Sequence, residues 1–394
     1  MTGTGPPDDA TALRAIAERF GIEQVIVDQA AAAGTLGLVV LERLAVPDDA
    51  RFTQEDVARV SGLGEDARRF WRALGFPDPD PDEQLFTSED LAMLQMVDAI
   101  ISSELALRDS AMQLARVIGQ SMQRIAQTQI EATEARLAAT APDEIDPTAA
   151  VARAEALMPV MPPIFEYVWR RHLQSAIRRR LAADAPLLEG PPPRAVGFAD
   201  MVGFTTLSQE LDDAELAAVV DRFETQAQEI VAGHGGRVVK MIGDEVMFEA
   251  AELDEAALIA LELSDAFHRD DVVNDIRVGI AHGPVLAREG DLYGPTVNLA
   301  ARLVGIAYAG SVVTTGDVRA ALADDERFAF KSVRGRSLKH IGRVSLFALR
   351  RVDDVDESPA ARARRRRGVA ARRVADRNRA ERAEGTEEAS AEEE

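Results

Sequence analysis

Residues 240–248 read KMIGDEVMF, and this stretch decides the fold predicted for the second half of the chain. Apolar residues on both sides of the glycine and aspartate predict two strands, 237–241 and 245–248, joined as a hairpin. The turn between the strands places the carboxylate of Asp244 at a strand end.

A second aspartate has the same setting. Residues 198–205 read FADMVGFT, so Asp200 follows a strand predicted from 195 to 198. Neighbouring strand ends can bring two carboxylates within reach of a divalent cation, which prefers oxygen ligands. Asp200 and Asp244 are therefore candidate metal ligands.

Outward from this hairpin, strands and helices follow in the order β-α-β-β-α-β, a ferredoxin-like layout within an α+β fold. Its remaining elements are a helix with an apolar face at 216–231, a helix at 255–267, a strand at 276–280, a helix at 295–307 and later strands at 311–314, 328–333 and 344–349. We expect this domain to span 195–352.

The first half of the chain is predicted to be an all-α domain over 11–183, because its apolar residues recur three and four positions apart. Thr53 and Thr87 each precede an aspartate by three positions, as in a capping box, and predict helix starts. Prolines make 184–194 a linker. Residues 1–10 are predicted to be disordered.

Gly62, Leu63 and Gly64 separate two short predicted helices, and with residues 68–76 after this turn the segment 51–94 resembles a MerR-like helix-turn-helix. Phosphate neutralisation supplies most of the affinity of such modules for DNA. Here the net charge is -22, and residues 77–83 carry four carboxylates where a backbone-contacting wing would lie. The charge argues against nucleic-acid binding and favours a packing module.

The composition limits the compartments in which the protein is expected and the kinds of metal site that it can form. The chain has no cysteine, which excludes disulfides and thiolate metal sites. Its start lacks a signal peptide, and its longest mostly apolar run, 28–42, is too short to cross a bilayer of about 30 Å. We expect a cytoplasmic protein without a membrane span. An arginine-rich block followed by acidic residues predicts a disordered tail at 353–394, with an electrostatic contact to the acidic body as the alternative.

The aspartates have roles in phosphorus chemistry. Attack of a hydroxyl on phosphorus needs the phosphate charge neutralised and the hydroxyl pKa lowered, which a carboxylate-held metal pair supplies. Val202, Gly203 and Phe204 follow Asp200, and a glycine there lets backbone amides approach a triphosphate.

Residues 290–303 read GDLYGPTVNLAARL and form a second constellation. A helix that starts near Pro295 places Asn298 and Arg302 on one face. An arginine there can hold charge that develops on phosphorus, and an asparagine can orient a ribose.

In combination, these motifs resemble the class III nucleotidyl cyclase catalytic domain over residues 194–350. The resemblance implies attack of the ribose 3′-OH of ATP on the α-phosphorus, which gives 3′,5′-cyclic AMP and pyrophosphate. By the same resemblance, Asp200 and Asp244 bind two Mg²⁺ or Mn²⁺ ions, and Lys240 and Asp291 read the adenine. The resemblance also implies that Asn298 and Arg302 stabilise the transition state and that Lys339 contacts the terminal phosphates.

Substrate and assembly follow from the same residues. Lysine and aspartate match the acceptor N1 and the donor N6 of adenine, whereas guanylyl cyclases of the family place glutamate and a small polar residue there. Lys240 and Asp244 flank one turn, which makes it awkward for one chain to hold both ends of one ATP. A head-to-tail homodimer with shared sites resolves the conflict.

The helical half resembles the N-terminal regulatory domain of mycobacterial soluble adenylyl cyclases, which inhibits the catalytic half and responds to acid. We therefore expect autoinhibition, with activity raised at acidic pH. The histidines that could gain protons are His172, His234, His268, His282 and His340. Apolar runs at 25–27 and 36–41 are interpreted as a dimer core, with a pocket for a lipid or another small ligand as the alternative.

Two other functions compete. Residues 242–246 also resemble the glycine-aspartate-glutamate hairpin of diguanylate cyclases, so a diguanylate or guanylyl cyclase is the enzymatic alternative. A nucleotide-sensing DNA-binding regulator is the other. The spacing of Asp291, Asn298 and Arg302 argues against a diguanylate cyclase, and the acidic wing argues against the DNA-binding regulator.

Overall fold

The computed structural model describes residues 9–138, 147–182, 193–268, 270, 273, 275–338 and 342–354. The chain forms two compact units that divide between Ala182 and Ala183. We call them the helical unit and the sheet unit. Nearly all of the N-terminal segment 1–10, the linker 184–194 and the tail 353–394 lies outside the described residues.

The prediction of an all-α first half is confirmed. Its helices are α1 Asp9–Arg19, α2 Gln24–Ala32, α3 Leu36–Ala45, α4 Gln54–Val60, α5 Asp66–Ala73, α6 Ser88–Ser102, α7 Arg108–Ala138, α8 Pro147–Leu157 and α9 Met161–Ala182. None of the described helices combines the length and the apolar composition needed to cross a membrane.

Two apolar cores stabilise the helical unit. Val27, Leu36 and Val40 are buried in the first core, whereas Val25 and Leu38 of the same apolar runs are exposed. The second core contains Phe70, Trp71, Phe86 and Leu94. The apolar runs considered for a ligand pocket are thus divided between core and surface.

Two helix starts agree with the capping prediction. Thr53 and Thr87 each form a capping box with the aspartate three positions later. A break separates α6 from α7. Glu104 adopts a left-handed φ of 57°, and Leu105 N donates to Ile100 O, which closes α6 in the manner of a Schellman motif.

The three arginines of α5 have partners within the segment that resembles a helix-turn-helix. Arg68 donates to the Gln54 side chain, Arg69 pairs with Asp66, and Arg72 pairs with Asp78. These intramolecular contacts agree with a packing role for α5.

The sheet unit has the predicted α+β fold. Its main strands are β1 Pro193–Met201, β2 Arg237–Ile242, β3 Glu245–Ala250, β4 Ile276–Pro284, β7 Val312–Thr315, β8 Phe328–Leu338 and β9 Gly342–Arg351, and a separate hairpin consists of β5 Leu286–Arg288 and β6 Asp291–Tyr293. Its helices are α10 Phe204–Glu210, α11 Asp213–Gly233, α12 Leu253–His268, α13 Pro295–Val304 and α14 Gly316–Ala321.

The main sheet has the order β2-β3-β1-β4-β7-β9-β8, and among its described strands β4 and β7 pair in parallel and the other neighbours antiparallel. The first four strands carry the predicted ferredoxin-like arrangement, and the later strands extend it. The β5–β6 hairpin was not predicted, because strands of three residues give too short a pattern.

Helices cover the sheet on both faces. One core contains residues of α11 and α12 and the other contains residues of α13. A Cβ at Gly279 of β4 would come within 2.6 Å of Val304 N, so glycine is needed for α13 to pack this closely. Asp200 follows Val196 and Phe198 at alternate positions of β1 and thus points to the α13 side of the sheet.

Candidate active site

The two aspartates lie on neighbouring segments of backbone. Asp200 is next to last in β1, and Asp244 lies between β2 and β3. The amide of Met201 donates to the carbonyl of Asp244 at 3.0 Å, and Asp200 is opposite Glu245 in the ladder. Backbone pairing therefore brings Asp200 and Asp244 to the same end of the neighbouring strands β1 and β3.

Negative charge is crowded at this edge. Burial raises the pKa of Asp200 above its usual range, and the charge of Asp244 adds to the rise, although Arg277 opposes it. Arg277 Nε donates to Asp200 Oδ2 at 2.6 Å. Burial, together with the charges of Asp200 and Asp244, raises the pKa of Glu245 to about 7.

Sequence reasoning missed Arg277 and Glu245. Arg277 is the charged member of an otherwise small or apolar strand, 276–281, and that exception was the available signal. Glu245 directly follows Asp244, and the sequence pattern predicted only that it belongs to a strand.

The carboxylate oxygens of Asp200 and Asp244 are the donor type that a divalent cation such as Mg²⁺ prefers. Among the described residues, no group of three or more histidine or carboxylate side chains could hold a metal ion. The candidate donor set is the pair Asp200 and Asp244, and water or substrate phosphates would complete the coordination, as is usual for Mg²⁺. The crowding that raises the pKa of Asp200 is what a bound cation would relieve.

The predicted phosphate turn has one amide already paired. Val202 N donates to Asp275 O at 2.8 Å. Gly203 adopts a left-handed φ of 81° and precedes α10, whereas the Phe204 side chain packs against the α11–α12 core.

The predicted base-reading pair is formed within one chain. Lys240 Nζ of β2 donates to Asp291 Oδ2 of β6 at 2.5 Å, and Leu292 N donates to Asp291 Oδ1 at 2.7 Å. Burial alone would raise the pKa of Asp291, but these hydrogen bonds lower it below its ordinary value. Asp291 is thus an ionised partner of Lys240.

Asn298 and Arg302 lie one turn apart on α13. Asn298 is exposed, whereas Arg302 is partly buried. Arg302 Nη1 is buried and has no hydrogen-bond partner within the described parts of the chain. A buried N–H group of this kind is costly unless a ligand accepts from it. Lys339 lies outside the described residues.

The fold and these side chains define a class III nucleotide cyclase domain, and comparisons with known proteins agree. Residues 193–351 match the family described as the adenylate and guanylate cyclase catalytic domain. Relatives include an adenylate cyclase of Glutamicibacter nicotianae, 34% identical over 78% of this chain and 81% of the relative. An adenylate cyclase of Streptomyces coelicolor is 39% identical over 68% of this chain and 70% of the relative. A pH-sensitive adenylate cyclase of Mycobacterium tuberculosis is 27% identical over 87% of this chain and 89% of the relative.

The chain therefore belongs to the adenylate and guanylate cyclase family. The predicted resemblance to class III adenylyl cyclases is confirmed at the level of the family, as is the prediction of an enzyme. Cyclases of this class use divalent metal ions and act as dimers. The cytoplasmic location stays a prediction.

Proposed function

We propose that the protein is an adenylate cyclase that converts ATP to 3′,5′-cyclic AMP and pyrophosphate. The observation that carries this choice of substrate is the ion pair between Lys240 and Asp291, which joins β2 to β6. The names of the relatives from Glutamicibacter and Streptomyces support the same substrate.

The two side chains of this pair complement adenine and oppose guanine. The ammonium of Lys240 donates to N1 of adenine, and the carboxylate of Asp291 accepts from the N6 amino group. Guanine presents a donor at N1 and an acceptor at O6, so both contacts become repulsive. A site built from buried or paired polar groups rejects a mismatched base strongly.

Asp200 and Asp244 hold the divalent ions, in our proposal two Mg²⁺ or Mn²⁺ per site. Bound there, the ions supply charge neutralisation for the phosphates and a lower pKa for the ribose 3′-OH. Arg277 fixes the orientation of Asp200 through its hydrogen bond of 2.6 Å.

Other side chains act on the sugar and the phosphates. Arg302 is proposed to donate through Nη1 to the charge that develops on the α-phosphate, and Asn298 to orient the ribose. Because the amide of Val202 is paired with Asp275, the amides of Gly203 and Phe204 are the better candidates for the terminal phosphates. Lys339 remains a proposed contact to those phosphates.

Two chains are proposed to share each site. Within the described residues, no hydrogen bond or ion pair joins Asn298 or Arg302 to Asp200 or Asp244. A head-to-tail homodimer would place the metal ligands of one protomer opposite the base-reading and transition-state residues of its partner.

Product identity tests the assignment. Purified full-length protein is incubated with ATP or GTP and Mn²⁺, and products are separated by chromatography. We expect cyclic AMP from ATP and little product from GTP. Cyclic GMP or cyclic diguanylate as the main product would overturn the proposal in favour of the guanylyl or diguanylate alternatives.

The helical unit is proposed to inhibit the sheet unit, with inhibition relieved at acidic pH. The name of the Mycobacterium tuberculosis relative, a pH-sensitive adenylate cyclase matched over both units, supports the pH dependence. The rates of residues 1–394 and 190–352 can be compared between pH 5 and 8. Coincident profiles would refute regulation by the helical unit.

A further inference from the structure

A buried carboxylate on β3 lies close to an arginine on each of β1 and β2. The Glu249 side chain on β3 is nearly inaccessible to solvent. Its Oε1 accepts from Arg237 Nε on β2 at 2.8 Å, and its Oε2 lies 3.6 Å from Arg194 Nε on β1. Removing water from a carboxylate is costly, so charged partners on both sides are needed.

Arg237 also reaches outside the sheet. Its Nη1 donates to the carbonyl of Gly290 at 3.2 Å. Gly290 is in the turn of the β5–β6 hairpin and directly precedes Asp291, the proposed base-reading carboxylate. One guanidinium therefore connects a buried carboxylate of the sheet to the turn that presents Asp291.

The hairpin needs such a connection. Glu289 and Gly290 both have positive φ, 56° and 82°, as in the two-residue turn of a tight hairpin. Two short strands alone are marginally stable in water. Leu286 and the rest of β5 are exposed, and Leu292 is the buried residue of β6. Arg237 thus holds the turn of the β5–β6 hairpin, while the burial of Leu292 and the hydrogen bond between Asp291 and Lys240 hold β6.

We propose that Arg237, oriented by Glu249, is a positioning residue for base selection. It fixes Gly290 and thereby sets where the Asp291 carboxylate stands relative to Lys240. The inference rests on the proposed adenine-reading role of Lys240 and Asp291. The planar fork of arginine makes both contacts at once, whereas a lysine has a single charged centre.

The test uses full-length Arg237→Lys and Arg237→Met, with steady-state kinetics for ATP and GTP. We expect KM for ATP to rise and the ATP/GTP ratio of kcat/KM to fall by about tenfold, the effect of one lost charged hydrogen bond. The kcat with saturating ATP should stay within about twofold, because the metal end is untouched. Arg237→Lys should keep the wild-type Tm, since its ammonium still pairs with Glu249, yet lose selectivity.

Arg327→Lys and Arg327→Met are the matched controls. Arg327 pairs with Asp254 and Asp325 in the same unit, and its loss should leave the ATP/GTP ratio unchanged. An unchanged ratio in both Arg237 variants would overturn the positioning role, even if Tm falls. If a variant has no measurable activity, hydrogen exchange of 286–293 in Arg237→Lys decides: faster exchange than wild type supports the role, and equal exchange overturns it.

Asp291→Asn, measured in parallel, separates this inference from its premise. If Asp291→Asn keeps the wild-type ATP/GTP ratio, the proposed base-reading site itself is wrong. If Asp291→Asn loses selectivity and the Arg237 variants do not, only the positioning role of Arg237 is wrong.

Discussion

The two ends of the proposed nucleotide site are held in different ways. The metal end consists of Asp200, next to last in β1, and Asp244, in the turn between β2 and β3, and a backbone hydrogen bond from Met201 to Asp244 joins the two segments directly. The base end connects Lys240 of that sheet to Asp291 of a separate two-stranded hairpin, and side chains make the connection. Backbone pairing positions the metal end, and ion pairs position the base end.

The two ends also differ in how their surroundings shift the pKa values of their carboxylates. At the metal end, burial and neighbouring carboxylates raise the pKa of Asp200 and of Glu245. At the base end, hydrogen bonds from Lys240 and the Leu292 amide lower the pKa of Asp291 despite burial. The metal end thus places three carboxylates around the single guanidinium of Arg277, whereas the base end is a one-to-one ion pair suited to an uncharged base.

The largest effect is expected from breaking the metal end. Asp200→Ala should lower kcat by about 1,000-fold or more, because a lost metal ligand removes both charge neutralisation and hydroxyl activation. Cyclic AMP formation is measured with saturating ATP and Mn²⁺. Asp254→Ala, which removes an exposed carboxylate of the same unit, should retain wild-type activity. A near wild-type rate for Asp200→Ala would refute the metal assignment.

A slightly smaller effect is expected at Arg302. Arg302→Ala should lower kcat by about 100- to 1,000-fold with little change in KM, as for other groups that act mainly in the transition state. Mixing this variant with Asp200→Ala sharpens the comparison. If two chains share each site, random dimers regain about a quarter of the wild-type activity. Mixtures as inactive as their components would place the whole site in one chain.

The different ways in which the two ends are positioned also explain which parts of the site could be predicted from the sequence. Asp200 and Asp244 follow apolar strands, so alternation and turn residues were enough to place them at one edge. Thr53 and Thr87 predicted helix starts for the same reason, since capping is local. The hairpin that carries Asp291 gave too short a pattern, and the break at Glu104 lacked the usual glycine. The Arg277 contact depends on sheet register, which a pattern within one strand does not contain.

An intermediate effect is expected from breaking the base end. Asp291→Asn should lower the ATP/GTP ratio of kcat/KM by about 10- to 100-fold, because the amide no longer presents a charged acceptor paired with Lys240. The Mn²⁺ concentration for half-maximal rate should not change, since the metal end is positioned independently. Asp254→Asn serves as the control. A change in metal dependence without a change in selectivity would show that the two ends are not separable.

The smallest effect is expected from pH on base selection. The pKa of Asp291 is lowered from 3.8, so the stabilisation from its ion pair is present above that ordinary value and is lost only as pH falls through the still lower folded pKa. From about pH 8 to 5.5 the carboxylate stays ionised, and the ATP/GTP ratio of kcat/KM should change less than about twofold. Competition assays across this range measure it. If the total rate rises in acid while the ratio stays constant, the acid response acts outside the base end. A ratio that falls with the pH would instead mean that protonation reaches the Lys240–Asp291 pair itself.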